Sequence, residues 1–212
     1  MVSPVRVREH RTMSSATAPA ASGGPPDLDS LDEAQLARRS RIVDAAMGMM
    51  LRIEYDKIQM KDVTAAAGVA LGTTYRYFAS KDHLMSEALL RWSEGFPTDP
   101  PVSGGRSVDQ LKLAFRLAAR AFEPHPTMYG ALVVLQASTD PHAIEAFDRF
   151  ASTQTTAFER FLPRIAPARR NRIVMVMSAV LDVQLRNWAV GRIAIADVYR
   201  NLDASADLLL RD

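Results

Sequence analysis

The chain contains no cysteine, which excludes disulfides, thiol catalysis and thiolate zinc sites at once. That absence suits a cytoplasmic protein. Long apolar runs are also missing. None reaches the ~18 residues that crossing a bilayer requires, so a soluble chain with no membrane partner is expected. Histidine is scarce: His10, His83, His125 and His142 are the whole set, and none stands at a metal-binding spacing such as His-Glu-x-x-His. No Gly-x-Ser-x-Gly nucleophile elbow is present. With no clustered set of titratable groups, the sequence reads as a non-enzyme with no cofactor and no metal site. Lysine is rare as well. It occurs only as Lys57, Lys61, Lys81 and Lys112, three of them close together. No segment shows the two-residue alternation of a half-buried strand.

What is present is a helical, two-part chain of 212 residues, apolar enough to bury a core. A net charge of +2 is too small to argue for nucleic acid by itself, and GC-rich coding also produces an Arg- and Ala-rich composition. Residues 1–29 read as a disordered tail, rich in Ala, Ser, Pro and Gly over 14–26. Its basic stretch 6–11 is either an arm that touches DNA or a solvated tail, and Met13 offers an alternative start. Ser30 and Glu33 form a candidate capping box for a helix reaching about Arg52. Ile42, Val43, Ala46, Met47, Met50 and Leu51 make its apolar face. Two short helices follow on either side of Gly68. Ser80 then caps a fourth, with Leu84, Ala88 and Leu89 as its stripe. Residues 95–106 hold three prolines and three glycines and read as a linker. Beyond it, Ser107 with Gln110 is a second candidate capping box. Further helices are expected over 127–137, from Asp140–Pro141 to Leu162, over 168–190 and over 196–210. The fold class is all-α, with about nine helices. The domains are a tail (1–29), a first helical domain (30–94), a linker (95–106) and a second helical domain (107–212).

The stretch 59–84 carries the functional signal. Two helices of about two turns each meet at Gly68, which can adopt the left-handed conformation of a tight turn. Val63, Ala66 and Val69 can pack one helix on the next. This is the pattern of a helix-turn-helix, whose second helix enters the major groove. Leu71, Gly72 and Thr73 open that helix with small or short side chains, and Thr73 offers a hydroxyl and a methyl to base edges. Tyr75, Tyr77 and Lys81 suit phosphate anchoring, and Lys61 can reach a guanine edge or a phosphate. Short helix–glycine–helix patterns are nonetheless common, and Tyr75 and Phe78 also suit a core.

The run Ala67-Gly68-Val69-Ala70-Leu71-Gly72-Thr73-Thr74-Tyr75-Arg76-Tyr77-Phe78-Ala79-Ser80-Lys81 resembles the signature of the tetracycline-repressor (TetR) family. The family pattern has Ala-Gly-Val, Gly-Thr, Tyr-x-Tyr-Phe and Ser-Lys followed by Leu. Two positions depart from it. A capping Ser is common where Ala70 stands, and an apolar residue where Thr74 stands. Thr74 is therefore either a further DNA contact or a tolerated half-buried residue. The resemblance implies a cytoplasmic bacterial transcriptional regulator, in its usual form a repressor. It implies a homodimer that binds near-palindromic double-stranded operator DNA and is released by a small apolar effector. Lys61, Leu71, Gly72 and Thr73 then correspond to groove-facing positions, and Tyr75, Tyr77 and Lys81 to backbone contacts. Arg38, Arg39 and Arg41 resemble the basic start of the first helix, which touches phosphate or minor groove in some members; a solvated charged face is the other reading. A narrower similarity, at Gln59-Met60 and Gly72-Thr73-Thr74-Tyr75-Arg76-Tyr77-Phe78, to actinobacterial repressors of sterol and lipid breakdown implies a lipid- or steroid-derived effector. The alternative function is a helical protein–protein interaction module without DNA binding.

In the second domain, Phe147, Phe150, Phe158 and Phe161 share one helical face with Gln154 among them. A buried polar group there needs a hydrogen-bond partner, either a neighbouring helix or the polar group of a ligand. Phe115, Met128, Phe147, Phe150, Gln154, Met177 and Trp188 are the candidate ligand-binding residues. The helix over 168–190 is apolar on more than one side, so one front faces its own core and another a partner subunit. Asp182 and Arg186 form either a surface pair or an inter-subunit contact.

Overall fold

The computed structural model describes residues 24–96 and 105–210. The tail before residue 24, with its basic stretch and Met13, and most of the linker lie outside the described residues. Those that are described form nine α-helices and no strand: α1 (Glu33–Met50), α2 (Met60–Ala67), α3 (Leu71–Tyr77), α4 (Lys81–Ser93), α5 (Ser107–Phe122), α6 (Pro126–Leu135), α7 (Pro141–Arg160), α8 (Pro167–Ala189) and α9 (Ile195–Leu209).

Most boundaries follow local chemistry. Ser80 Oγ accepts the His83 amide at 3.0 Å and starts α4. The Asp140 carboxylate accepts the amides of His142 and Ala143, with Pro141 as the first helical residue of α7. Gly68 sits at φ 66°, where the Val69 amide reaches back to the Thr64 carbonyl at 3.0 Å. Gly191 does the same after α8, at φ 73°.

Neither sequence-predicted capping box forms between the residues expected. The box on α1 is made by Asp32 and Gln35, not Ser30 and Glu33. Ser30 lies in a 3-10 turn, Leu28–Ser30, capped by Asp27. An ionised acceptor outcompetes a hydroxyl for the orphan amides, and half-buried Leu31 packs on the core just before the Asp32 cap. At α5, Ser107 is already helical. The N-cap is Arg106, whose guanidinium pairs with Asp109 at 2.9 Å instead of capping.

The α1–α3 core of Ile42, Val43, Ala46, Val63 and Phe78 is continuous with that of α5–α9. α4 makes it so. One side packs on α1 and another runs along α7, and the helix is buried from His83 through Leu89. On α8 the inner side, Ile173, Val174, Met177, Leu181 and Leu185, is buried, whereas Met175, Val176 and Val183 stand exposed.

Candidate nucleic-acid interface and apolar cavity

The α2–Gly68–α3 unit carries the predicted DNA-contacting residues, and the helical rotation of 100° per residue sorts them. Leu71, Gly72, Tyr75 and Arg76 face outward, Thr73 is half-exposed, and Lys61 on α2 and Arg41 on α1 are exposed. A Cβ added at Gly72 would meet no atom within 4 Å, so internal packing does not require glycine there. Arg76 was absent from the sequence-based set. It stands beside Tyr75, and its Nη2 donates to the Tyr77 hydroxyl at 3.1 Å.

Thr74 and Tyr77 are corrections. Three residues apart, both point inward. Thr74 is fully buried and Tyr77 is 2% exposed, so neither offers its side chain to DNA. Thr74 Oγ1 has no hydrogen-bond partner among the described residues. Lys81 is half-buried: Nζ donates to the Tyr55 carbonyl at 2.5 Å and lies 4.1 Å from the Tyr55 ring centroid. Burial lowers its pKa, with Asp56 and Asp82 opposing. Arg39 is internal as well, 2.9 Å from Glu87 and 5.0 Å over the Phe78 ring.

Behind this surface, α4 joins the two halves through polar groups. Asp82 accepts hydrogen bonds from the Tyr55 hydroxyl on one side and from Ser138 Oγ, at 2.6 Å, on the other. Buried Glu87 pairs with Arg39 of α1 and Arg149 of α7. Burial alone would raise its carboxyl pKa, but the two guanidiniums outweigh that and hold it below the ordinary value. The His83 ring stacks on His142 at 5.2 Å and meets Phe78 edge-on. Burial pushes the His83 imidazole down to about 4; Glu87 opposes the shift, and His142 and Arg39 add to it.

Between α5, α6, α7 and α8 lies a cavity of about 190 Å³ with a mostly apolar wall. Three predicted residues line it: Phe147, Phe150 and Gln154. Four do not. Phe115 is fully buried, stacked on Phe158 at 4.3 Å. Met128 and Met177 are fully buried in the core, and half-buried Trp188 sits one helical turn beyond the last α8 lining residue, Leu185. Sequence reasoning missed Phe96, Phe122, Tyr129, Leu132, Leu181 and Asp182. They come from α5, α6 and α8 and, for Phe96, from the turn after α4; the lining Phe158 was already in the aromatic stripe on α7. Tyr129 donates to both the backbone carbonyl (2.7 Å) and the carboxylate (2.9 Å) of Asp182. Arg186 holds the same carboxylate at 3.0 Å. Burial first, then the hydrogen bond and charge of Asp182, push the Tyr129 phenol far above its ordinary pKa. Among the described residues, no group of His, Asp and Glu could hold a metal ion, and no helix is long and apolar enough to cross a membrane.

Known proteins share this architecture. Residues 42–88 match the family model described as bacterial regulatory proteins, tetR family. Residues 104–209 match the tetracyclin repressor-like C-terminal domain. The chain is 32% identical over 204 residues to the HTH-type transcriptional repressor KstR of Rhodococcus jostii, covering 93% of each. It is also 32% identical over 184 residues to KstR of Mycobacterium tuberculosis, covering 85% of this chain and 84% of that one. A TetR transcriptional regulator from Rhodococcus sp. RHA1 superposes with a TM-score of 0.69 at 24% identity, over 85% of this chain and 98% of the other. FadR of Bacillus subtilis, crystallised with stearoyl-CoA, superposes at 0.57 and 14% identity, over 81% and 97% of the two chains, a likeness of fold alone.

Proposed function

The chain belongs to the tetR family of bacterial regulatory proteins, and from that premise we propose that it is a ligand-responsive transcriptional repressor. It acts as a homodimer on near-palindromic operator DNA, and a small apolar effector of lipid or steroid origin releases it. The observation that carries this reading is the outer face of α3. There Leu71, Gly72 and Tyr75 stand free of the core, with half-exposed Thr73 beside them, at the end of a glycine turn. Exposed Arg76 on α3, Lys61 on α2 and Arg41 on α1 supply positive charge on the same three-helix unit, which phosphate contacts require. Residues 30–94 are the DNA-binding domain, 95–106 the linker and 107–212 the effector and dimer domain. Dimerisation covers the exposed Met175, Val176 and Val183 of α8 and Leu208 of α9.

The release mechanism follows from linkage. An effector that prefers the geometry unable to bind DNA weakens operator affinity by the ratio of its two affinities. α7 lines the cavity and also packs along α4, which abuts α1 and follows α3 directly. The two sites are thus two helices apart.

The test is fluorescence anisotropy against the DNA upstream of the protein's own gene across a salt series, with random DNA as control. Preference for the upstream DNA, with two subunits per site and affinity falling as salt rises, is the expected outcome. Equal binding to both DNAs, followed by no enriched site in a genome-wide pull-down, overturns it.

A further inference from the structure

The cavity wall is unusual in its charge. Among the described residues it includes no Lys, Arg or His; its one ionisable carboxylate is Asp182. Arg186 pairs with Asp182 at 3.0 Å, but it is not part of the lining and about half of its side chain is in solvent. The polar corner therefore presents carboxylate lone pairs, a phenol whose proton already points at Asp182, and the amide of Gln136. Gln154 and Thr155 are the polar groups on the α7 wall, and Ser178 adds a hydroxyl on α8. Phe122, Phe147, Phe150 and Phe158 supply the apolar body.

We propose that this cavity selects a neutral amphiphile, a hydrocarbon frame bearing a hydroxyl that donates to Asp182, over the carboxylate of the same frame. The inference rests on the proposed effector role of the cavity and names the chemistry of its occupant. A hydroxyl brings the donor that Asp182 can accept. A carboxylate gives up its hydration to sit beside another carboxylate, with no lining cation to meet it. The Tyr129 phenol already feels this, since burial and Asp182 both oppose its ionisation.

The experiment is calorimetric titration of the full-length protein at neutral pH with 1-decanol and with decanoate, matched in chain length. Decanol is expected to bind at least about tenfold more tightly. Asp182→Asn, which keeps the side-chain volume, should shrink that ratio. Ala151→Trp, placed on an exposed position of the cavity wall, should weaken both ligands. Equal or tighter binding of decanoate to the wild-type protein overturns the proposed selectivity and leaves the effector site standing. If neither ligand binds, the effector reading of the cavity falls, and this inference with it. Unchanged binding in Ala151→Trp shows that the ligand sits elsewhere. The wild-type ratio needs no variant, so a poorly folding Asp182→Asn leaves the test decisive.

Discussion

At the scale of single residues, α3 shows how position outranks residue type. Thr73 and Thr74 are neighbours with the same side chain, yet one is half-exposed and the other fully buried with its hydroxyl unpaired. A buried hydroxyl without a partner costs about 1–3 kcal/mol. Replacing it with the isosteric methyl removes that cost. Thr74→Val should therefore raise unfolding stability by about 1 kcal/mol in urea titration and leave operator affinity unchanged in anisotropy. A large loss of affinity at constant stability would return Thr74 to the DNA surface. His83 carries a pH prediction. Its folded pKa of about 4 lies below the ordinary 6.5, so the unfolded chain binds more protons between those values. The stability it contributes is present above about pH 6.5 and is lost as pH falls towards 4. The groups that face it are Glu87, His142, Arg39 and Asp140. Melting temperature should drop across that window, and His83→Gln should flatten the drop.

At the scale of elements, α4 is the helix on which both halves depend. Glu87 is 7% exposed and bridges α1 to α7 through Arg39 and Arg149. Removing a buried charge leaves its partners uncompensated, at a cost of roughly 3–5 kcal/mol for a fully buried pair. Arg149 is nearly half in solvent, so the lower end applies. Glu87→Gln should lower stability by about 3 kcal/mol. Arg149→Ala should cost less than about 1 kcal/mol, because Arg39 remains on Glu87 and the lost pair is largely screened. Urea unfolding of the two variants separates these outcomes. Equal losses would mean that α7, not α1, carries the pairing.

At the scale of the whole molecule, α8 buries only one of its apolar sides within the chain. Met175 is 64% and Val183 51% exposed on the other, and with Val176 they fall on a common face of the helix. Val183→Asp places a charge in the middle of that face. It should shift the protein from dimer to monomer by light scattering after gel filtration. It should also weaken operator binding while the helical circular-dichroism signal stays unchanged. A wild-type monomer at micromolar concentration would overturn the dimer.

The helices themselves were legible from residue order, because capping and breaking are local: Gly68, Ser80, Asp140–Pro141 and Gly191 act within one turn. The family was legible too, through the run from Ala67 to Lys81. The capping box on α1 was misplaced by two residues because two acceptors, Ser30 and Asp32, lie close to the same amides; at α5 the helix begins at Ser107 itself, behind Arg106, whose side chain has no acceptor to cap it. Periodicity on α7 found Phe147, Phe150 and Gln154 because these three share one helix face. It could not find Tyr129 or Asp182, which meet only when α6 packs on α8, 53 residues apart in the chain. Nor could it show that Thr74 and Tyr77 turn inward while Tyr75 turns out, since a helix of seven residues is too short for its pattern to name its buried side. Local order specified the elements and the class of regulator. Tertiary packing alone decided which α3 side chains turn outward, which side chains line the cavity, and that the cavity wall carries an acid and no base among the described residues.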